Sequence, residues 1–259
     1  MLTLPQIEAQ YPQSLRPFKR ALLREYLQYK ILEIIFASAH AHKLSFLGGT
    51  ALRIVYGNTR FSEDLDFDNF NMEEGEFAAL AETVRAGLEA QGMHVEISMA
   101  GKDAYRCNVR FPDILYANEI SPHEGEKVLL QIDSFAHGVP YTPERKLINR
   151  FDVFSEFLVT PVDILLSQKL HAAINRKRAK GRDFFDIVFL LSLTTPNYPY
   201  LKEKLRVANG NELRRTFLSS IEALDFAALG RDVQPFLFNP SDVKKVELFR
   251  EFIREARLE

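Results

Sequence analysis

The sequence predicts an α+β fold in two parts, an α/β half over residues 1–155 and a helical half over residues 156–259. Three observations predict it. Short runs with strand character cluster between Leu44 and Phe135. From Pro161 onward the pattern is helical and little else. A chain of 259 residues is long enough for one large domain or two smaller ones, each with its own core.

The elements follow in order. Leu22, Leu23, Tyr26, Leu27, Ile31, Ile34 and Ile35 recur at three- and four-residue spacing and predict one long helix over Phe18–Lys43. Leu44–Leu47 is a short apolar strand that stops at Gly48-Gly49, and Thr50–Tyr56 is a short helix. Leu65 and Phe67 alternate with Asp64, Asp66 and Asp68, which is strand periodicity. Glu73–Gln91 is amphipathic and ends at Gly92, followed by strands over Met93–Met99, Tyr105–Phe111 and Lys127–Phe135. Within the last of these, VLLQI is nearly continuous apolar, as expected of a central strand. Thr160-Pro161 marks a helix start, because proline is tolerated in the first turn. Helices are then predicted over Val162–Lys177, Arg182–Leu193, Tyr200–Ala208, Asn211–Leu224 and Asp242–Arg257. The pattern leaves open which half the long first helix packs against.

Composition narrows the chemistry. The net charge is −2, so the chain is no polycation, and nucleic-acid contact must come from a local patch. Cys107 is the single cysteine, which excludes an internal disulfide and a cysteine-rich zinc site and fits a cytoplasmic setting. No apolar run is long enough to span a bilayer, and residues 1–13 lack the pattern of a signal peptide, so no membrane role is expected.

The chemistry concentrates in FLGGTALRIVYGNTRFSEDLDFD, residues 46–68. A strand that places Asp64, Asp66 and Asp68 on one face holds neighbours about 6.5–7 Å apart. Aspartate is depleted in strands and clustered like charges repel. A solvated acidic edge strand is the plain explanation. The alternative is a bound cation, and Mg2+ suits carboxylate oxygens shared with substrate phosphates. A pair of metal ions clamping the attacking and leaving oxygens of a phosphoryl-type transfer fits equally. Gly48-Gly49-Thr50 then becomes a phosphate cradle: glycine permits close backbone approach, and the following helix offers free N–H groups. Asp133, an acid in an apolar strand, is the candidate third metal ligand, with a salt bridge to a nearby Lys or Arg as its plain alternative.

The helical half carries a second constellation. Lys169 lies on the edge of an apolar stripe, one turn after Leu165, and is placed to reach inward toward a triphosphate or to snorkel outward. Asp183 and Asp186 share a helix face, with Asp183 in the first turn, where its charge suits the dipole. Arg182 and Asp186 have the spacing of an i,i+4 pair. Arg176, Lys177, Arg178, Lys180 and Arg182 form a basic run, either a solvated helix end or an RNA patch. The histidines form no metal site or nucleophilic set, and His171 is expected near solvent.

GGTAL, RFSEDLDF, QKLHAAINR and RDFFDI occur in this order over residues 46–187. Together these blocks resemble the AbiEii/AbiGii toxin family of nucleotidyltransferases, within the polymerase-beta-like nucleotidyltransferase superfamily. The resemblance implies a short mixed sheet flanked by helices, followed by a helical C-terminal half. It implies an NTP co-substrate and Mg2+ or Mn2+. In such a family Asp64 and Asp66 hold metal, and Gly48, Gly49 and Thr50 cradle phosphates. Lys169 contacts the nucleotide, and Asp183 and Asp186 complete the catalytic face. Ser62 and Arg182 fall within the matched blocks and join the expected nucleotide-binding set. Asp133 enters as metal ligand and catalytic residue from its strand position alone.

The expected reaction is in-line attack of an acceptor hydroxyl on the NTP α-phosphate. Family members act in toxin–antitoxin or abortive-infection modules, and some modify tRNA ends, so tRNA or another RNA is the expected acceptor and a separately encoded antitoxin the expected partner. A protein or aminoglycoside-like acceptor, or a non-catalytic NTP-binding module, are the rival readings.

Overall fold

Leu22–Leu32 is buried almost without interruption, so the helix that contains it, Lys19–Ala37, forms the central beam of the first half rather than an amphipathic cover. It ends short of the expected Lys43. The Ser38 hydroxyl donates to the Ile35 carbonyl and the Ser38 backbone turns extended, which takes over the last helical acceptors. The computed structural model describes residues 1–100 and 105–259. It divides into two compact units. The first comprises Met1–Val55, Phe61–Gly138 and Pro143–Val159; the second comprises Tyr56–Arg60, Val139–Thr142 and Thr160–Glu259.

The first unit carries helices α1 (Leu4–Ala9), α2 (Lys19–Ala37), α3 (Gly48–Tyr56, whose last residue falls in the second unit), α4 (Glu74–Ala90) and α5 (Ile114–Ala117). Its strands are β1 (Leu44–Leu47), β2 (Leu65–Asn69), β3 (Glu96–Ala100), β4 (Tyr105–Phe111), β5 (Val128–Phe135), β6 (Glu144–Arg150) and β7 (Val153–Val159). They form one mixed sheet in the order β3-β4-β5-β2-β1-β7-β6. The β2–β5 and β1–β7 pairs are parallel and the remaining pairs antiparallel. Helices α2 and α4 pack together and cover the sheet, α2 on β5 and β7 and α4 on β3 and β4. The core between them holds Phe46, Leu65, Phe67, Val109, Leu130, Ile132 and Phe157.

Register puts the acids on the opposite face from this core. Phe67 and Leu65 face the helices, so Asp66 faces away by the two-residue period. The apolar run in β5 is not buried on both faces: Val128, Leu130, Ile132 and Ser134 are buried, whereas Leu129 and Phe135 are exposed. Asp133 shares the more open face with Leu129 and Gln131.

Two further differences concern β6 and β7 and the first turn of α3. The β6–β7 hairpin carries no turn signal in sequence, because its connecting pair is Phe151-Asp152, with neither Gly nor Asn. Phe151 takes a left-handed backbone (φ 57°), and its ring lies edge-on to Tyr26 and Tyr29 with centroids 5.4 and 5.1 Å apart. Tertiary ring packing substitutes for turn chemistry. Gly48 and Gly49 are not a loop before a helix; α3 begins at Gly48 itself, directly on the end of β1.

The second unit is helical: α6 (Val162–Asn175), α7 (Gly181–Leu191), α8 (Tyr198–Leu205), α9 (Gly210–Ser220), α10 (Phe226–Val233), α11 (Lys244–Glu247) and α12 (Phe249–Glu255). Helices α6 and α7 pack as an antiparallel pair across a short loop, and α7 also packs on α10 and α11. Phe184 of α7 sits edge-on to Phe226 and Phe249, at 5.2 and 4.9 Å. Helix α10 escapes the sequence pattern because Gly230 interrupts it. That glycine lets α10 lie close to the Val243 and Glu247 side chains, and Asp225 caps the helix by accepting from the Ala228 N–H. The single helix expected over Asp242–Arg257 is broken at Leu248 into α11 and α12, although Val246, Phe249 and Ile253 continue one apolar stripe through the break.

Candidate active site

In the first unit the strand register lines up Arg106 of β4, Asp133 of β5, Asp66 of β2 and Leu47 of β1 as successive Cα partners. Paired residues on adjacent strands project from the same face, about 5 Å apart. Two carboxylates thus stand side by side, with a guanidinium beyond them and the start of α3 on the other side. Gly48 has φ +79°, and a Cβ there would fall on the Asp66 carboxylate. This glycine is required twice over, by its backbone conformation and by the closeness of Asp66. Gly48→Ala is therefore expected to cost about 1–2 kcal/mol in stability from backbone strain alone. By pushing the Asp66 carboxylate aside it should lower transfer activity roughly 100-fold. Parallel melting and activity measurements check this.

Asp64 lies one residue before β2 and is positioned by its backbone. The buried Thr50 hydroxyl donates to the Asp64 carbonyl, and Gln28 of α2 donates to the Ser62 and Glu63 carbonyls at 3.0 and 2.9 Å. The hydroxyl of Thr50 is thus engaged in holding the acidic segment. Gly49 is buried in the first turn of α3, and Ser62 is half-buried. Asp68 is buried and accepts from the backbone N–H groups of Asn69 and His137, which fixes the far end of β2.

Asp133 accepts a two-point hydrogen bond from Arg106, 2.7 and 2.8 Å. That hydrogen bond and the Asp133 charge raise the Arg106 pKa, and Asp64 and Asp66 add to the rise. Among the described residues no group of three or more His, Cys, Asp or Glu converges as a ready metal cage. The donor set nevertheless fits Mg2+, which is commonly bound by one or two carboxylates and completed by substrate phosphates and water. Gly48 brings the start of α3 directly against the Asp66 carboxylate, so the first turn of that helix and this acid lie side by side.

The second unit builds a buried ion network around α6 and α7. Asp186 is wholly buried and accepts from Arg60 at 2.7 Å on each oxygen, from Asn58 at 2.8 Å, and from Lys169 at 2.8 Å. Lys169 also reaches Asp183 at 3.2 Å, and Arg176 reaches the other oxygen of Asp183 at 2.5 Å. Burial alone would raise the Asp186 pKa, but Arg60 and Lys169 outweigh it and hold the carboxyl at about 2. Burial pulls the Lys169 pKa down, but Asp186 and then Asp183 more than offset this, so it stands above its ordinary value and the amine is charged. Lys169 therefore neither snorkels nor hangs free; its ammonium is held by two carboxylates and keeps 17% of its side-chain exposure. Asp186 has no exposed edge and serves to place Lys169. Arg182 lies with its guanidinium 5.1 Å from the Phe236 ring. In the α6–α7 loop Arg176, Lys177, Arg178 and Lys180 are exposed. His171 is half-buried rather than open to solvent, and burial, with the charge of Lys204, lowers its pKa. Cys107 is buried, and burial pushes its thiol up to about 11, which leaves it unreactive.

The family model for the nucleotidyl transferase AbiEii toxin of type IV toxin–antitoxin systems matches residues 30–256. The chain belongs to this family. It is accordingly a nucleotidyltransferase of the AbiEii type, with the mixed sheet and helical C-terminal half that the sequence predicts. No curated protein sequence matches it. Among solved structures it is similar to JHP933 from Helicobacter pylori, with 19% identity over 91% of this chain and 92% of that one and a TM-score of 0.55. A nucleotidyltransferase candidate from H. pylori shares 20% identity over 91% and 95% of the two chains, with a TM-score of 0.57. MenT4, a nucleotidyltransferase toxin from Mycobacterium tuberculosis, shares 16% identity over 99% and 91%, with a TM-score of 0.56. At these identities the likeness concerns the fold.

Within this AbiEii-family chain, sequence reasoning misses Asn58, Arg60 and Arg106. The segment holding Asn58 and Arg60 belongs to the helical unit although it lies between α3 and β2 in sequence. Arg60 forms an antiparallel bridge with Leu237, and the Phe238 N–H donates to the Thr59 carbonyl at 3.1 Å. Arg60 begins the RFSEDLDF block, so the signal is present, but its partner lies 126 residues away. Among the described residues no helix is long and apolar enough to cross a membrane.

Proposed function

We propose that this AbiEii-family nucleotidyltransferase is a Mg2+-dependent toxin that transfers NMP from an NTP to an acceptor hydroxyl, with a tRNA end as the acceptor. The observation that supports the transfer chemistry is the pairing of Asp66 with Asp133 on adjacent strands, beside a glycine that only a missing side chain allows so close. In this reading Asp64 and Asp66 hold the divalent ion, with Asp133 available to the set. When bound, the ion supplies Lewis-acid stabilisation of the charge that develops on the phosphoryl oxygens. The acceptor oxygen forms a bond to the α-phosphorus while the bond from that phosphorus to the β-bridging oxygen breaks. Pyrophosphate leaves with that electron pair, and the hydroxyl proton passes to a nearby base, a role open to Asp133. Gly48 and Gly49 let the phosphates approach the first turn of α3. Ser62 and Arg182 are assigned to nucleotide binding, and Lys169 supplies positive charge to the triphosphate. Asp183 and Asp186 hold that lysine. A separately encoded antitoxin is the expected partner, as in other type IV systems.

The exposed loop cations Lys177, Arg178 and Lys180, beside the Asp183-paired Arg176, favour RNA as acceptor. The net charge of −2 favours a protein or a small aminoglycoside-like acceptor, so the acceptor class is tested separately. If tRNA is the acceptor, its affinity should fall steeply between 50 and 200 mM salt, by roughly tenfold or more, as several phosphate contacts are lost. Changing Lys177 and Arg178 together to Ser should flatten that slope by about two contacts. Filter binding of total tRNA across salt reads both. A flat dependence would move the acceptor to a small molecule, and NTP binding without pyrophosphate release from any acceptor would leave a binding module.

A further inference from the structure

The carboxylate row contains its own cation. Arg106 projects from the same sheet face as Asp133 and Asp66, one and two strands away. Its guanidinium grips both Asp133 oxygens, yet the side chain is 46% exposed and that of Asp133 24%. A buried structural ion pair would be shut away; this one faces solvent at the acidic face, where water can take over both partners when they part. The electrostatic reach of Arg106 extends beyond its partner to Asp64 and Asp66. Two neighbouring carboxylates on adjacent strands would otherwise repel.

We propose that Arg106 is a positioning residue that acts as the resident counter-ion of the carboxylate row, holding Asp133 out of the metal-binding set until a divalent cation displaces it. The inference rests on the reading that Asp64 and Asp66 bind the cation. A divalent ion entering beside Asp66 meets a positive charge two strands away and a third carboxylate already engaged. Arg106 therefore lowers the affinity of the nucleotide-free protein for metal. It also offsets part of the acidic charge while the site waits for substrate. Once displaced, the guanidinium is an exposed fork suited to an anionic partner, a triphosphate among them.

The test is Mn2+ titration of the full-length, nucleotide-free protein, followed by the Mn2+ EPR signal, with melting temperatures in metal-free buffer alongside. Arg106→Gln is expected to bind Mn2+ about tenfold more tightly than wild type, since a like charge is removed and Asp133 is released. Arg106→Lys, which keeps the charge, should stay near wild type. The gain should vanish in the Arg106→Gln, Asp133→Asn double variant. The metal-free melting temperature of Arg106→Gln should stay level or fall; a merely structural role would give that change with no gain in Mn2+ affinity. Unchanged or weaker Mn2+ binding in Arg106→Gln, with Asp66→Asn still abolishing binding, overturns the counter-ion role alone. Absence of Mn2+ binding in both wild type and Arg106→Gln overturns the metal assignment of Asp64 and Asp66 and this inference with it.

Discussion

Arg60→Leu is expected to destabilise the helical unit by about 3–5 kcal/mol. The reason is that Asp186 would stay buried at 0% exposure after losing both hydrogen bonds from the guanidinium. Asn58 and Lys169 alone would then have to stabilise a fully desolvated carboxylate. Replacing both partners, Arg60→Leu with Asp186→Leu, should recover much of the loss, because a buried ion pair contributes far less than one orphaned charge costs. Even so, the double variant should stay poorly active, since Lys169 would have lost the nearer of its two carboxylates and would be held by Asp183 alone. The pH dependence follows from sign. The Asp186 pKa is lowered in the folded state to about 2. Its contribution is therefore complete above the unfolded carboxylate value, about 3.9, and is lost as pH falls from there toward 2. Urea melts at pH 7 and thermal melts between pH 5 and pH 2.5 read both effects. A loss under about 1 kcal/mol for Arg60→Leu would contradict the network's role.

Asp66→Asn is expected to reduce nucleotidyl transfer by about 1,000-fold or more while leaving the fold intact. The amide keeps the shape of the carboxylate, so Gly48 still fits against it. It removes one of two like charges paired across β2 and β5, so the melting temperature should hold or rise slightly. Asp133→Asn should be milder, because Asp64 and Asp66 are the residues assigned to hold the ion, whereas Asp133 is engaged by Arg106 until the ion arrives. The order of effects, Asp66 far above Asp133, separates a metal site founded on β2 from one shared equally by three acids. Equal losses at the two positions would contradict this division.

Much of this architecture is legible in residue patterns. The alternation of Asp64, Leu65, Asp66, Phe67 and Asp68 places β2 to within a residue, because one face of that strand is buried and register is therefore strongly specified. Gly48-Gly49 marks the junction of β1 and α3, whereas the place of Lys169 on the edge of the helix stripe leaves inward reach and snorkelling open until Asp183 and Asp186 are seen to hold it. What stays hidden depends on long-range contacts. The β6–β7 hairpin turns on Phe151 in a left-handed conformation, held by tyrosines from α2 and invisible to turn rules. Arg60 looks like one more surface charge in a loop until Asp186 is known to face it. Asp133 looks buried because its strand is apolar, whereas β5 exposes Leu129 and Phe135 and pairs Asp133 with a neighbour one strand over. Helix ends shift where side chains capture backbone groups, as Ser38 does at the end of α2.

Transfer of label decides whether the β2 carboxylate carries the reaction. The protein is incubated with Mg2+, each α-labelled NTP in turn and total bacterial tRNA, with Asp66→Asn in parallel. Label passing to tRNA from at least one NTP with wild type, and about 1,000-fold less with Asp66→Asn, is the predicted result. Equal labelling by wild type and Asp66→Asn would contradict the assignment of Asp66 to the chemistry.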